Sequence, residues 1–205
     1  MVTPVEGDDA AGLRRRVREL LDRYGDGVAP IVQVDDDPGL RTVAQRYEGQ
    51  LDEKELAALV ELMRRTMHAA PGVGLAAPQI GLPVQLAVIE DSAAVSEEIA
   101  TARERYPQEF LVIANPTYTP SSLRTADFPE GCLSVTGYHA VVRRHADVTL
   151  RFTDLGGTSR LAEFSGWPAR IVQHETDHLN GVLYVDKAEP GTLTEIVDTP
   201  PVSSQ

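Results

Sequence analysis

Two histidines stand four positions apart in "QHETDHLNG", residues 173–181, with a glutamate directly after the first. On a helix of 3.6 residues per turn, His174 and His178 project from one face, close enough to chelate one ion. Glu175 lies about a hundred degrees round that helix, where a carboxylate can reach water on the ion without ligating it. This is the H-E-x-x-H spacing. A catalytic zinc or iron site needs a third protein ligand and an open position for water. Cys132, in "EGCLSV", is the favoured third ligand, because thiolate binds zinc and ferrous iron strongly. Without the two-histidine chelate, a lone cysteine would read as a small buried hydrophobe. His68, His139 and His145 compete for the role, as does a carboxylate, but these histidines have no local pattern and read as surface or hydrogen-bonded side chains.

The elements that must position these residues are legible from periodicity. Leu13, Val17, Leu20 and Leu21 in residues 11–24 mark a short amphipathic helix that "YGDG" ends. Its arginines, Arg14, Arg15, Arg16, Arg18 and Arg23, read as a solvated face. A second helix starts after Asp52, with Glu55 placed to complete a capping box and a buried stripe of Leu56, Leu59, Val60, Met63 and Met67. The glycines and prolines of "PGVGLAAPQIGLP" forbid a regular helix, and the apolar run 84–89 then reads as a strand. Residues 91–109 read as a solvated acidic excursion before the strand "FLVIANP". Alternation in 147–165 around "DLGG" predicts a hairpin. A helix over 167–179 follows, with Pro168 in its first turn and Asn180-Gly181 at its end. Strands and helices show no repeating βα rhythm, so the class is α+β.

At 205 residues the chain is long enough for one domain with a real core. The expected organisation is an N-terminal extension with a short helix over 1–30, a single catalytic domain over 31–188 and a loose tail over 189–205. A net charge of −12 opposes nonspecific binding to phosphate backbones, which argues against a nucleic-acid function. The acidic start "MVTPVEGDDA" does not resemble a secretory signal, and no apolar stretch approaches a membrane span. With one cysteine that has no internal partner, the expected address is the cytoplasm.

Three segments together resemble the peptide deformylases: "GVGLAAPQIG" (72–81), "EGCLSV" (130–135) and "QHETDHLNG" (173–181), in the family's order. "DPGLR" at 37–41 is a weaker fourth match, and the similarity runs from about residue 31 to about residue 187. The resemblance implies antiparallel strands around a central helix that carries H-E-x-x-H. It implies hydrolysis of the N-formyl group from the initiator formyl-methionine of newly made polypeptides, releasing formate. It further implies one divalent metal, natively ferrous iron, Fe(2+), with zinc, nickel or cobalt able to substitute. By motif position, Cys132, His174 and His178 correspond to the ligands and Glu175 to the catalytic carboxylate, while Gln79 and the backbone amide of Leu133 correspond to oxyanion donors. The expected partners are N-formyl-methionyl peptides and nascent chains. A transient ribosome contact is allowed, although the short polar C-terminus offers no anchoring helix.

Those roles are chemically coherent. One thiolate and two neutral imidazoles leave a divalent site with net charge +1, enough to lower the pKa of a bound water. Glu175 can take that water's proton and deliver it to the departing amine. Gly72 and Gly74 would let an extended backbone pass close to a substrate chain, and Gly131 would free the approach to Cys132. By analogy with the family, Val73, Leu75, Trp167 and Ile171 wall an apolar methionine pocket. Arg170 stands where many bacterial members carry an aliphatic residue, and its stem is expected to line the pocket with the guanidinium reaching solvent. Thr136 and His139 stand where many relatives carry proline and arginine, which leaves the fit beyond formyl-methionine open. A zinc endopeptidase, a cysteine hydrolase using Cys132 as nucleophile and a noncatalytic metal-stabilised module are the alternative readings.

Overall fold

The computed structural model describes residues 10–70 and 72–196. Helix α1 spans Ala10–Tyr24 and α2 spans Glu53–Ala69. Asp52 accepts from the Lys54 and Glu55 amides while Glu55 reaches back to the Asp52 amide, so the expected capping box forms. Leu13 and Val17 of α1 are fully buried in one core with Leu59, Met63 and Met67 of α2. The arginine face of α1 is only partly solvated: Arg14 pairs with Asp52 and Glu55, and Arg18 with Glu55. The Arg14 hydrogen bond holds the Glu55 carboxyl down at about 2.

Strand β1 (Gly74–Ala76), a 3-10 turn over Ala77–Ile80 and β2 (Leu86–Asp91) follow α2. Then come α3 (Glu97–Ala102), β3 (Gln108–Pro120), β4 (Thr125–Cys132), β5 (Val135–His145), β6 (Asp147–Thr153) and β7 (Ser159–Ser165). The chain ends its described part with α4 (Gly166–Leu179) and β8 (Thr194–Glu195). A five-stranded sheet has the order β1-β2-β3-β6-β7 and a three-stranded sheet the order β4-β5-β8. Every strand pair in them is antiparallel.

The predicted hairpin is β6–β7, with Val148, Leu150 and Phe152 buried and the Asp154 side chain accepting from the Gly156 and Thr158 amides at the turn. Helix α4 packs on β1, β2, β3, β6 and β7 and also touches β5, which puts it between the sheets. Val172 and Leu179 bury against Ile89, Ile113, Leu150 and Phe152. The Gln173 side chain accepts from the His145 amide and donates to the His145 carbonyl, locking α4 to the end of β5.

Two expectations need correction. Residues 91–109 are not merely solvated: they form α3, and Asp91 is buried with Arg105 at 2.8 Å. The Trp167 amide donates to the Glu104 carbonyl at 3.2 Å, and the Tyr106 hydroxyl donates to the Ser165 carbonyl at 2.7 Å, so the segment is docked on the start of α4. The tail is not loose from residue 189, because Thr194 and Glu195 pair with His139 and Tyr138 on the open edge of β5. The part of the tail over 197–205 lies outside the described residues.

Candidate active site

Strand β4 delivers Cys132 as its last residue, where the register with β5 shifts between Gly131 and Cys132. The Cys132 Sγ comes to 3.2 Å from His178 Nε2. The rings of His174 and His178 are 4.9 Å apart, as one helical turn requires. One ligand atom from each of Cys132, His174 and His178 lies within 4.8 Å of the others. Burial pushes the Cys132 thiol up, but His178 and His174 more than offset it and pull the group down to about 5. Two imidazoles and an easily ionised thiol in this arrangement fit a divalent ion such as zinc or iron.

These three side chains are backed by a residue that spacing did not single out. Glu130 meets His174 Nδ1 at 3.0 Å, so His174 Nε2 is the ring nitrogen that could take a metal ion. Glu130 is itself buried, and Arg144 and Arg170 both pair with it. Burial would raise its carboxyl, yet His174 and Arg144 hold it well below the usual carboxylate range. Arg144 also pairs with Asp177, which Lys187 and the Tyr118 hydroxyl reach at 2.7 and 3.1 Å. Sequence signals for this cluster were weak: Glu130 stands two residues before Cys132 and Asp177 within H-E-x-x-H, but nothing local marks Arg144.

Glu175 is buried, and its Oε2 has no hydrogen-bond partner among the described residues. Burial pushes its carboxyl above the usual range. Gly74 on β1 makes this placement possible, because a Cβ there would lie 2.2 Å from Glu175 Oε1. Gln79 is held by its own oxygen, which accepts from the Ala76 amide at 2.9 Å. Its Nε2 therefore faces Ser134 Oγ at 3.3 Å and Cys132 Sγ at 3.6 Å. The Leu133 carbonyl accepts from Gln33 Nε2 at 3.0 Å, which fixes the turn after Cys132.

A cavity of about 700 Å³ opens over this cluster. Cys132, Leu133, His174, Glu175 and Gln79 line it, and so do Val73, Gly74, Gly131, Trp167, Arg170 and Ile171. Leu75 does not: alternation along β1 turns it into the α2 core, where it is fully buried. Arg170 also departs from expectation. Its guanidinium does not reach solvent but is buried, pairing with Glu130 and donating to the Val142 and Ala126 carbonyls. The reason is the buried Glu130 carboxylate, which demands a partner.

Comparison with known proteins agrees with this geometry. The polypeptide deformylase family profile matches residues 28–193. Peptide deformylase 1 of Streptomyces coelicolor is 54% identical over 185 residues, covering 90% of this chain and 84% of that protein. The mitochondrial peptide deformylase of Homo sapiens is 38% identical over 165 residues, covering 78% of this chain and 68% of that protein. The Met-Ala-Ser-bound crystal structure of class I type b peptide deformylase from Acinetobacter baumannii superposes with a TM-score of 0.69 at 30% identity, covering 78% of this chain and 98% of that one. With its fold, its cysteine and histidine cluster and these relatives in accord, the chain belongs to the peptide deformylase family, hydrolases that remove the N-formyl group from new polypeptides.

Proposed function

We propose that Cys132, His174 and His178 hold one divalent ion, natively ferrous iron, with zinc, nickel or cobalt able to replace it, and that Glu175 moves the protons of deformylation. The observation that carries this reading is the convergence of a strand cysteine on two helix histidines within 4.8 Å. Bound there, the ion would supply Lewis acidity to the water that attacks the formyl group. Glu175, a buried carboxylate among the residues that line the cavity, takes the proton from the attacking water and returns it to the amine that leaves. Gln79 Nε2 donates to the formyl oxygen as negative charge develops on it, joined by the Leu133 backbone amide. Glu130 keeps the His174 ring turned toward the ion.

The substrate's initiator methionine occupies the cavity that Val73, Trp167 and Ile171 help to line. Its chain lies extended beside β1, on newly made polypeptides in the cytoplasm, with at most a transient ribosome encounter. No helix among the described residues is long and apolar enough to cross a membrane. The test is formate release from a formyl-Met peptide by anaerobically purified protein with its metal measured, against cleavage of an internal peptide bond. Formate without internal cleavage supports the reading; internal cleavage supports an endopeptidase, and activity that survives complete metal removal overturns the metal assignment.

A further inference from the structure

The docked segment between β2 and β3 brings a charge to the substrate cavity. Gly166, at φ +61, allows the docking, since a Cβ there would lie 2.4 Å from the Glu104 carbonyl oxygen. Arg103, the C-cap residue of α3, is thereby set over an aromatic wall. Its guanidinium carbon lies 4.9 Å from the Trp167 ring centroid and 5.7 Å from that of Phe128. Arg170 lies against the same two rings, at 5.7 and 5.3 Å. Arg103 lines the cavity of about 700 Å³ together with Trp167, His174 and Glu175.

Among the described residues, no carboxylate lies within ion-pair distance of Arg103. Glu104, the next residue in the chain, is committed to Arg124 at 2.7 Å, and Asp91 to Arg105 at 2.8 Å. Other charged groups in the cavity wall are accounted for. Glu130 and Arg170 neutralise one another with Arg144, and Glu175 faces the metal ligands. Arg103 is thus an uncompensated cation in the cavity wall of a chain whose net charge is −12. An arginine stacked on aromatic rings is already ordered and weakly hydrated, so it loses little on accepting an anion. The anion that a peptide side chain offers is a carboxylate, which a guanidinium can grip with two parallel hydrogen bonds.

We propose that Arg103 makes this enzyme favour substrates with an acidic side chain in the first two residues after formyl-methionine. This rests on the deformylase reading, and the experiment separates the two. It measures kcat/KM by formate release for formyl-Met-Xaa-Ala and formyl-Met-Ala-Xaa peptides, with Xaa as Glu, Gln or Lys and every C-terminus amidated. Because Arg103 is partly exposed, the preference for Glu over Gln should be about fivefold at low salt and should shrink as salt is added. Lys should fall below Gln at the same position. Arg103→Gln should collapse the Glu-to-Lys ratio toward one, and Arg103→Lys should keep part of it. Equal kcat/KM for Glu and Lys at both positions, or a ratio that persists in Arg103→Gln, overturns the proposal while leaving deformylation intact. No formate from any peptide would overturn the deformylase reading and this proposal with it.

Discussion

Gly74 on β1 and Glu175 on α4 share one volume: a methyl group on the glycine would stand 2.2 Å from the carboxylate oxygen and 2.8 Å from Cγ. Glu175 is buried, so its side chain has no room to swing aside cheaply. Gly74→Ala should lower kcat by about 10²-fold, the usual cost of a misplaced catalytic group. Metal content should stay at the wild-type level, as elemental analysis would report. A normal kcat in that variant would show that the carboxylate is not held where the reaction needs it.

Glu175→Gln retains the shape of the side chain and removes its basicity. Formate release should fall by roughly 10²–10⁴-fold, with metal bound as in the wild type. Full activity would remove Glu175 from the proton path.

Cys132→Ser replaces a thiolate by a neutral hydroxyl at the point where β4 meets the two imidazoles. Metal retention should drop by at least the roughly 10–100-fold that disturbing an outer partner of a ligand costs. Dialysis followed by elemental analysis measures it. An unchanged metal content would refute the ligand assignment.

Arg144 is buried between Glu130 and Asp177. Arg144→Met leaves two carboxylates short of a partner, although Arg170 still reaches Glu130 and Lys187 still reaches Asp177. The expected loss is therefore near the lower end for breaking a buried ion pair, about 3 kcal/mol. Urea unfolding of the metal-loaded enzyme at neutral pH is the measurement, and a loss below measurement error would show that the cluster contributes no stability.

Glu55 carries a pH signature. Its folded pKa, about 2, is depressed below the ordinary carboxylate value of 4.5, chiefly by the Arg14 hydrogen bond. The unfolded chain therefore binds the proton more readily, and the stability that Glu55 contributes is present above pH 4.5 and lost as pH falls toward 2. Glu55→Gln keeps a side chain able to complete the capping box. It should unfold at lower urea than wild type at pH 7, with the difference narrowing through that window. A difference constant with pH would exclude the charge as its origin.

What could be read before the structure was known is what depends on neighbours in the chain. The Asp52–Glu55 box, the β6–β7 hairpin and the one-turn spacing of His174 and His178 are local patterns, and each forms as read. Cys132 could be placed with them because thiolate chemistry narrows the choice of third ligand. Glu130, Arg144 and Asp177 were not legible as a unit, since strand register and helix packing, not spacing, bring them together. The burial of Arg170 is hidden for the same reason: nothing within its own helix announces the carboxylate that draws it inward. Leu75 belongs to the glycine motif by position, but period-two alternation turns it away from the face that Gly74 presents to Glu175. The acidic composition of 91–109 concealed a segment whose backbone, at Glu104, is bound to the first turn of α4.

The three proposed ligands come from separate hydrogen-bonded layers, with the Cys132 sulfur on the three-stranded sheet and the His174 and His178 imidazoles on the helix that covers the five-stranded one. An ion held by all three would act as a clasp across the cleft, so the tightness of its retention and the stiffness of the groove would be linked quantities. Whatever strips the ion should also let the two halves breathe, and a molecule that wedges them apart should loosen the ion in return.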